Sequence, residues 1–239
     1  MWSLKEIDPL PFLVHEKFIS FVGAGGKTSL AEYLGAAAAG LGKRVVMTTT
    51  TKVRSKEPYV RFDDRGPAIS AEGGLFVLMG KSVDQGKLTA LDPGEVEALG
   101  KEYDLVLVEA DGAKGRPLKY PEAHEPVIPP CSDLTVVVAG LDALGLPIAE
   151  GIFRWEQFSR ATGLSPDKQI TLDVFVRLFE SDGLMKNVDK AGRLILLNKY
   201  DACAARESAA ELAAAVARRT GGARVVVASV ARGEFFALV

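Results

Sequence analysis

The run Phe18-Ile19-Ser20-Phe21-Val22-Gly23-Ala24-Gly25-Gly26-Lys27-Thr28-Ser29 passes from an apolar segment through glycines into Leu30-Ala31-Glu32. Phe18 to Gly23 reads as a buried strand, and Thr28 to Gly40, rich in Ala and Leu and ended by Gly40, reads as a helix. A glycine-rich turn between strand and helix can cradle a phosphate. Without Cβ atoms the backbone N–H groups of Gly23, Ala24, Gly25 and Gly26 can turn inward, and the helix start adds unpaired N–H groups, that of Ser29 included. Lys27 would reach β- and γ-phosphate oxygens, and the Thr28 hydroxyl would coordinate Mg²⁺. One spacing departs from the usual phosphate loop: Phe21 stands where its first glycine belongs, so the loop is shortened or wraps differently. The plainer alternative is a glycine-rich turn with a solvated lysine.

Outward from this run, short apolar segments alternate with helical ones. Lys43–Thr50, Leu75–Gly80, Tyr103–Asp111, Leu134–Asp142, Arg193–Asp201 and Ala223–Ser229 read as strands or strand ends, the last being the final strand of the chain. Pro93-Gly94-Glu95 opens a helix, Ala202–Thr220 is an Ala-rich helix, and residues 53–74 read as irregular surface. The strands are continuously apolar, which marks burial on both faces of a parallel sheet. The expectation is an α/β fold: a three-layer, doubly wound, mostly parallel sheet, like that of P-loop nucleoside triphosphate hydrolases. It forms one domain over residues 1–239, with a helical insertion at about 143–190. That insertion shows no clear strand and two helices, at Trp155–Thr162 and Leu172–Glu180.

Composition bounds the rest. The 239 residues carry 29 Lys plus Arg against 31 Asp plus Glu, a net charge of −2, so a basic nucleic-acid footprint is excluded. With 48% apolar and 25% charged residues the chain is globular. Cys131 and Cys203 are too few for a disulfide framework or a four-cysteine zinc site. No stretch is apolar long enough to span a membrane, and no targeting signal is visible, so a cytoplasmic protein with no membrane partner is expected.

Further candidates lie at strand ends. Glu109 and Asp111 close an apolar strand where an acid faces the ligand crevice of a parallel sheet. Either would hold Mg²⁺ or position water, and in extended backbone they share a face. Asp111-Gly112 also fits a plain turn. Lys114, Arg116 and Lys119 follow, either neutralising charge on a transferred phosphoryl group or forming a solvated loop. Thr50, Thr51 or Lys52 at another strand end would reach Mg²⁺ or a phosphate. Asn198-Lys199-Tyr200-Asp201 matches the Asn-Lys-x-Asp element of GTP-binding proteins. A carboxylate accepts both adjacent guanine donors, the Lys199 stem lies over the base, and Asn198 braces loops. Ser229, 28 residues after Asp201, stands where a small residue gives a backbone contact to the guanine oxygen. The alternative is a cap for the helix that follows. His15 and His124 are isolated, and His124 reads as structural.

With VGAGGKTSL, TTTTK, LVEADGAKGRPLK, HEPVIP and LLNKYD in this order, the chain resembles the YqeC family from about Ile19 to Ser229. These are described as accessory proteins of selenium-dependent hydroxylases, also called selenium cofactor biosynthesis proteins. The resemblance implies a P-loop nucleotide-binding protein acting in the maturation of selenium-dependent molybdenum hydroxylases, with such an enzyme or its maturation machinery as protein client. The expected chemistry is Mg²⁺-dependent hydrolysis of a nucleoside triphosphate, GTP before ATP. Lys27 and the loop bind phosphates, Thr28 and Asp111 hold Mg²⁺, Glu109 or Asp111 positions water, and Asp201 reads the base. A small-molecule kinase acting on a cofactor precursor, or a nucleotide-dependent binding module with little turnover, stand as alternatives.

Overall fold

The computed structural model describes residues 2–10, 15–51, 53–54, 60–64, 74–84, 87–188 and 192–239. Lys52, one of the threonine-run candidates, lies outside them. The central sheet contains β1 (Leu4–Glu6), β2 (Phe18–Gly23), β3 (Arg44–Thr49), β4 (Val60–Arg61), β5 (Leu75–Gly80), β6 (Leu105–Glu109), β7 (Leu134–Gly140), β8 (Arg193–Asn198), β9 (Arg224–Ser229) and β10 (Glu234–Leu238). Their order across the sheet is β1-β10-β9-β8-β7-β2-β6-β3-β5-β4. From β9 to β4 every pairing is parallel; β10 and β1 add antiparallel at one edge. The fold is α/β with a mostly parallel sheet.

Continuous apolar strands are possible here because both sheet faces are covered. Ile19, Phe21, Val45 and Met47 pack under Leu30, Leu34 and Ala38 of helix α1 (Lys27–Gly40). The opposite face carries helix α2 (Pro93–Leu99), whose Val96 and Leu99 meet Val46, Val106 and Val108. It also carries helices α3 (Ile148–Gly151), α4 (Trp155–Thr162), α5 (Leu172–Arg177) and α6 (Ala209–Arg219). Alternate residues of one strand therefore face different helix layers. Pro93 opens α2, and Glu95 turns back to accept from the Asp92 amide at 2.7 Å, satisfying a donor that the first turn leaves open. After β2 the chain winds towards β3 and β5, returns to β6, then crosses to β7, β8 and β9. The carboxyl end of β2 is thus the point where the winding reverses.

Several expectations need correction. The segment 223–229 is not the last strand. A tight turn over Val230–Arg232 and Gly233, at φ 70°, reverse the chain into β10, which carries β1 on its outer edge. Nothing local announces a pairing between the two ends of the chain. Within 143–190, Ile152–Phe153 forms a short strand beside Leu118–Lys119. The helix expected from Ala202 begins at Ala209, because tight turns at Tyr200–Ala202 and Arg206–Ser208 come first. Arg206 holds them by donating to the Tyr200 carbonyl at 2.9 Å. The stretch 53–74 contributes β4 to the sheet edge, and Phe62 is buried beside it. Val53–Arg54 pairs with Lys87–Leu88, which pairs with Val83–Asp84. Among the described residues no helix is long and apolar enough to cross a membrane.

Candidate functional site

Gly23, Gly25 and Gly26 have φ of 92°, 82° and 121°, a region that a side chain makes costly. Space forbids side chains too: a Cβ on Gly23 would strike the Val138 carbonyl, and one on Gly26 would strike Asn198 Nδ2. The loop is pinned by its first amides. Gly23 N donates to Asp111 Oδ2 at 3.0 Å, Ala24 N to Val138 O at 2.9 Å and Gly25 N to Arg116 O at 3.2 Å. These three are therefore not the expected cradle. The first intrahelical bond runs from Leu30 N to Gly26 O at 3.0 Å. The amides of Gly26, Lys27, Thr28 and Ser29 have no acceptor among the described residues and point along the start of α1. The shortened loop thus places its open donors one step later than the glycines suggest. Ser29 is exposed and enters by its amide alone.

Lys27, Glu109 and Asp111 meet, brought together from the loop and the end of β6. Lys27 Nζ donates to Gly23 O at 2.6 Å and lies 3.1 Å from Asp111 and 3.9 Å from Glu109. β6 ends at Glu109, so strand alternation does not bring the two acids together. A turn does, with Asp111 locked onto Gly23 N. The acids differ in role. Thr28 Oγ1 donates to Glu109 Oε2 at 2.9 Å, whereas Asp111 lies between Lys27 and Lys119, the latter at 3.0 Å. Thr28 and Asp111, both expected to hold Mg²⁺, make no hydrogen bond to each other, whereas Thr28 and Glu109 do. Burial pushes the Glu109 carboxyl above its usual range, against the opposing pull of Lys27 and the Thr28 hydroxyl. Asp111 Oδ1 is buried and makes no hydrogen bond.

Lys119 is not a solvated loop cation. It is wholly buried and also pairs with Glu125 at 2.7 Å, and Glu125 is in turn bonded by Arg154. Burial alone would push the Glu125 carboxyl up; the hydrogen bonds from Arg154 and Lys119 overcome it and hold it at about 2. A file of alternating charge therefore runs Lys27, Asp111, Lys119, Glu125, Arg154. Glu125 stands in the HEPVIP run without having been singled out as a site residue, Arg154 lies in no motif, and only the fold brings the two to this file. His124 is exposed beside Glu122 at 3.7 Å, and His15 is exposed. Thr50 donates to Val127 O at 2.6 Å, tying two loops, and Thr51 accompanies Thr49 in a local turn.

At the end of β8, Asn198 Nδ2 donates to Gly25 O at 2.9 Å and its Oδ1 accepts from Val230 N at 3.1 Å. The bracing role expected of it is present. Lys199, at φ 61°, pairs with Asp142 at 2.7 Å. Asp142 was not singled out in the sequence, although it follows apolar β7 as Glu109 closes β6. Asp201 and Ser229 adjoin: Asp201 N donates to Ser229 Oγ at 3.2 Å, and Asp201 Oδ2 lies 3.6 Å from Arg232. Ser229 is wholly buried. The loop, the two acids and Asn198-Lys199-Tyr200-Asp201 thus line one edge of the sheet, joined through Asn198. Among the described residues no cluster of three or more His, Cys, Asp or Glu side chains could hold a metal unaided. Thr28 with Glu109 offers two oxygens, a set that suits Mg²⁺ completed by phosphate and water.

The family model described as "YqeC protein" matches residues 19–156. The chain is 38% identical over 198 residues to a protein of Escherichia coli (strain K12) named "Uncharacterized protein YqeC", covering 77% of each chain.

Proposed function

The chain belongs to the YqeC family, and on that premise we propose that it is a P-loop nucleotide-binding protein that hydrolyses a nucleoside triphosphate, GTP before ATP, with Mg²⁺. The observation that carries the reading is the row of amides from Gly26 to Ser29, open at a helix start beside a buried lysine and two buried carboxylates.

Lys27 exchanges Asp111 and Gly23 O for phosphate oxygens. Asp111 is not stranded by that exchange, because Lys119 remains at 3.0 Å. Thr28 and Glu109 would hold the cation, which would neutralise phosphate charge. Asp111 Oδ1, freed of Lys27, accepts from the attacking water and orients it. Asp201 leaves Arg232 to accept both donors of guanine, and Asn198 keeps the base loop in register with the phosphate loop. Turnover would drive a conformational step in the maturation of a selenium-dependent molybdenum hydroxylase, the client that the resemblance suggests, in the cytoplasm.

Equilibrium titration with GTP and ATP, each with and without Mg²⁺, tests this. The expected result is saturable binding with GTP tighter than ATP and Mg²⁺ strengthening both. Absence of binding by either nucleotide at millimolar concentration would overturn it.

A further inference from the structure

Lys114 and Arg116, from the loop that follows Asp111, and residues 152–156 enclose an open cleft of about 390 Å³. Lys114, Arg116, Phe153, Arg154, Trp155 and Glu156 line it. Lys114 and Arg116 have no carboxylate within ion-pair distance among the described residues. Arg116 spends one donor on the Glu150 carbonyl and keeps the others. Arg154 differs: Glu122 at 2.9 Å and Glu125 already neutralise it, so it is wall rather than free charge. Phe153 is half-buried, with Lys114 5.3 Å and Arg154 4.7 Å from its ring centre. Lys114 and Arg154 sit at φ of 46° and 63°, a backbone region costly for residues with a Cβ, and both open onto the cleft. The one carboxylate among the lining side chains, Glu156, is exposed.

We propose that this cleft binds a second small molecule, an organic phosphate monoester carrying a planar ring. Two uncompensated cations match a dianion, and a guanidinium with spare donors can grip two phosphate oxygens at once. Phe153 and Trp155 offer aromatic surface for the ring, and the volume suits a small ligand. The cleft also touches the phosphate loop mechanically, since the Arg116 carbonyl accepts from Gly25 N at 3.2 Å. The assignment does not depend on the nucleotide reading.

Trp155 is the reporter, because the chain's two tryptophans are Trp2 and Trp155 and Trp2→Phe leaves it alone. In that background phenyl phosphate should change the Trp155 fluorescence saturably, and equally so in Lys27→Ala. Inorganic phosphate, phenol and benzoate should each bind at least tenfold more weakly. Lys114→Ala/Arg116→Gln should weaken phenyl phosphate at least tenfold; the glutamine retains a donor for Glu150 O, and circular dichroism checks folding. Lys114→Ala alone, at an exposed position, should weaken it at least threefold should the double variant not fold. No saturable change, an unchanged affinity in a folded Lys114 variant, or benzoate binding as well as phenyl phosphate overturns the proposal. Loss of binding in Lys27→Ala does so too, by placing the ligand at the phosphate loop.

Discussion

The Thr28 hydroxyl donates to Glu109 Oε2 at 2.9 Å, joining the start of α1 to the end of β6 across 81 residues of chain. Asp111, two residues on, faces the lysines instead. The two acids of one strand end therefore have different work, and substitutions should separate them.

Glu109→Gln keeps an acceptor for Thr28 and removes a charge that burial disfavours. Turnover should fall about 100-fold, or ~2.7 kcal/mol, with nucleotide affinity in the absence of Mg²⁺ nearly unchanged. Stability should move the other way. The raised carboxyl contributes stability below the ordinary glutamate range, lost as pH rises through its folded value. Thermal melts between pH 4 and 8 should show that loss in the wild type and a shallower slope in Glu109→Gln. Identical slopes would mean that Glu109 ionises without penalty.

Lys27→Ala removes the cation nearest the open amides. Triphosphate affinity should drop at least tenfold, ~1.4 kcal/mol, measured by calorimetric titration on protein whose circular dichroism matches the wild type. Unchanged affinity would leave the loop as a plain turn.

Glu125→Gln leaves Lys119 and Arg154 short of a counter-charge inside the protein. Breaking a buried pair from one side should cost about 3 kcal/mol at pH 7, read by urea unfolding. The wild-type carboxyl is held at about 2, below its ordinary 4.5, so its contribution is full above that ordinary value and disappears as pH falls towards 2. The gap between wild type and variant should close over that window. A gap independent of pH would point to packing instead of charge.

Asp201→Asn puts an amide NH₂ where a carboxylate oxygen would accept from guanine. GTP affinity should fall at least tenfold and XTP affinity rise, since the carbonyl that replaces guanine's 2-amino group accepts from the new amide. ATP should hardly change. The resting contact with Arg232 at 3.6 Å is largely solvent-exposed on the arginine side, so it offers little competition. Competition titrations decide the matter: a variant that keeps its GTP preference makes Asn198-Lys199-Tyr200-Asp201 a structural turn.

The parallel strands other than β4 were legible because each is a short apolar run bounded by turn residues, a pattern that needs no partner to be seen; β4 is only two residues, Val60–Arg61, within a stretch that reads as irregular surface. Helix α4 was legible to its bounds for a similar reason, Gly163 ending it in the left-handed region at φ 73°. The start of α6 was not: Ala202 to Ser208 has helical composition, yet Arg206 reaches back to Tyr200 O and holds the chain in tight turns. The β1–β10 edge was hidden because it pairs residues from opposite ends of the chain.

At the site, the residue types and their order along the chain come from local sequence: glycines where only glycine suits the backbone, Lys27 and Thr28 opening a helix, acids closing an apolar strand. Which acid meets Thr28 came only from the tertiary structure, because β6 stops at Glu109 and the turn after it aims Asp111 at Gly23 N. The same holds for the open amides, which follow from bonds that Val138, Arg116 and Asp111 make to the loop from other elements. It holds again for Lys119, a loop cation by sequence that becomes wholly buried between Asp111 and Glu125. Burying a charge is tolerable only where the fold supplies its partner, and no stretch of chain contains that information alone.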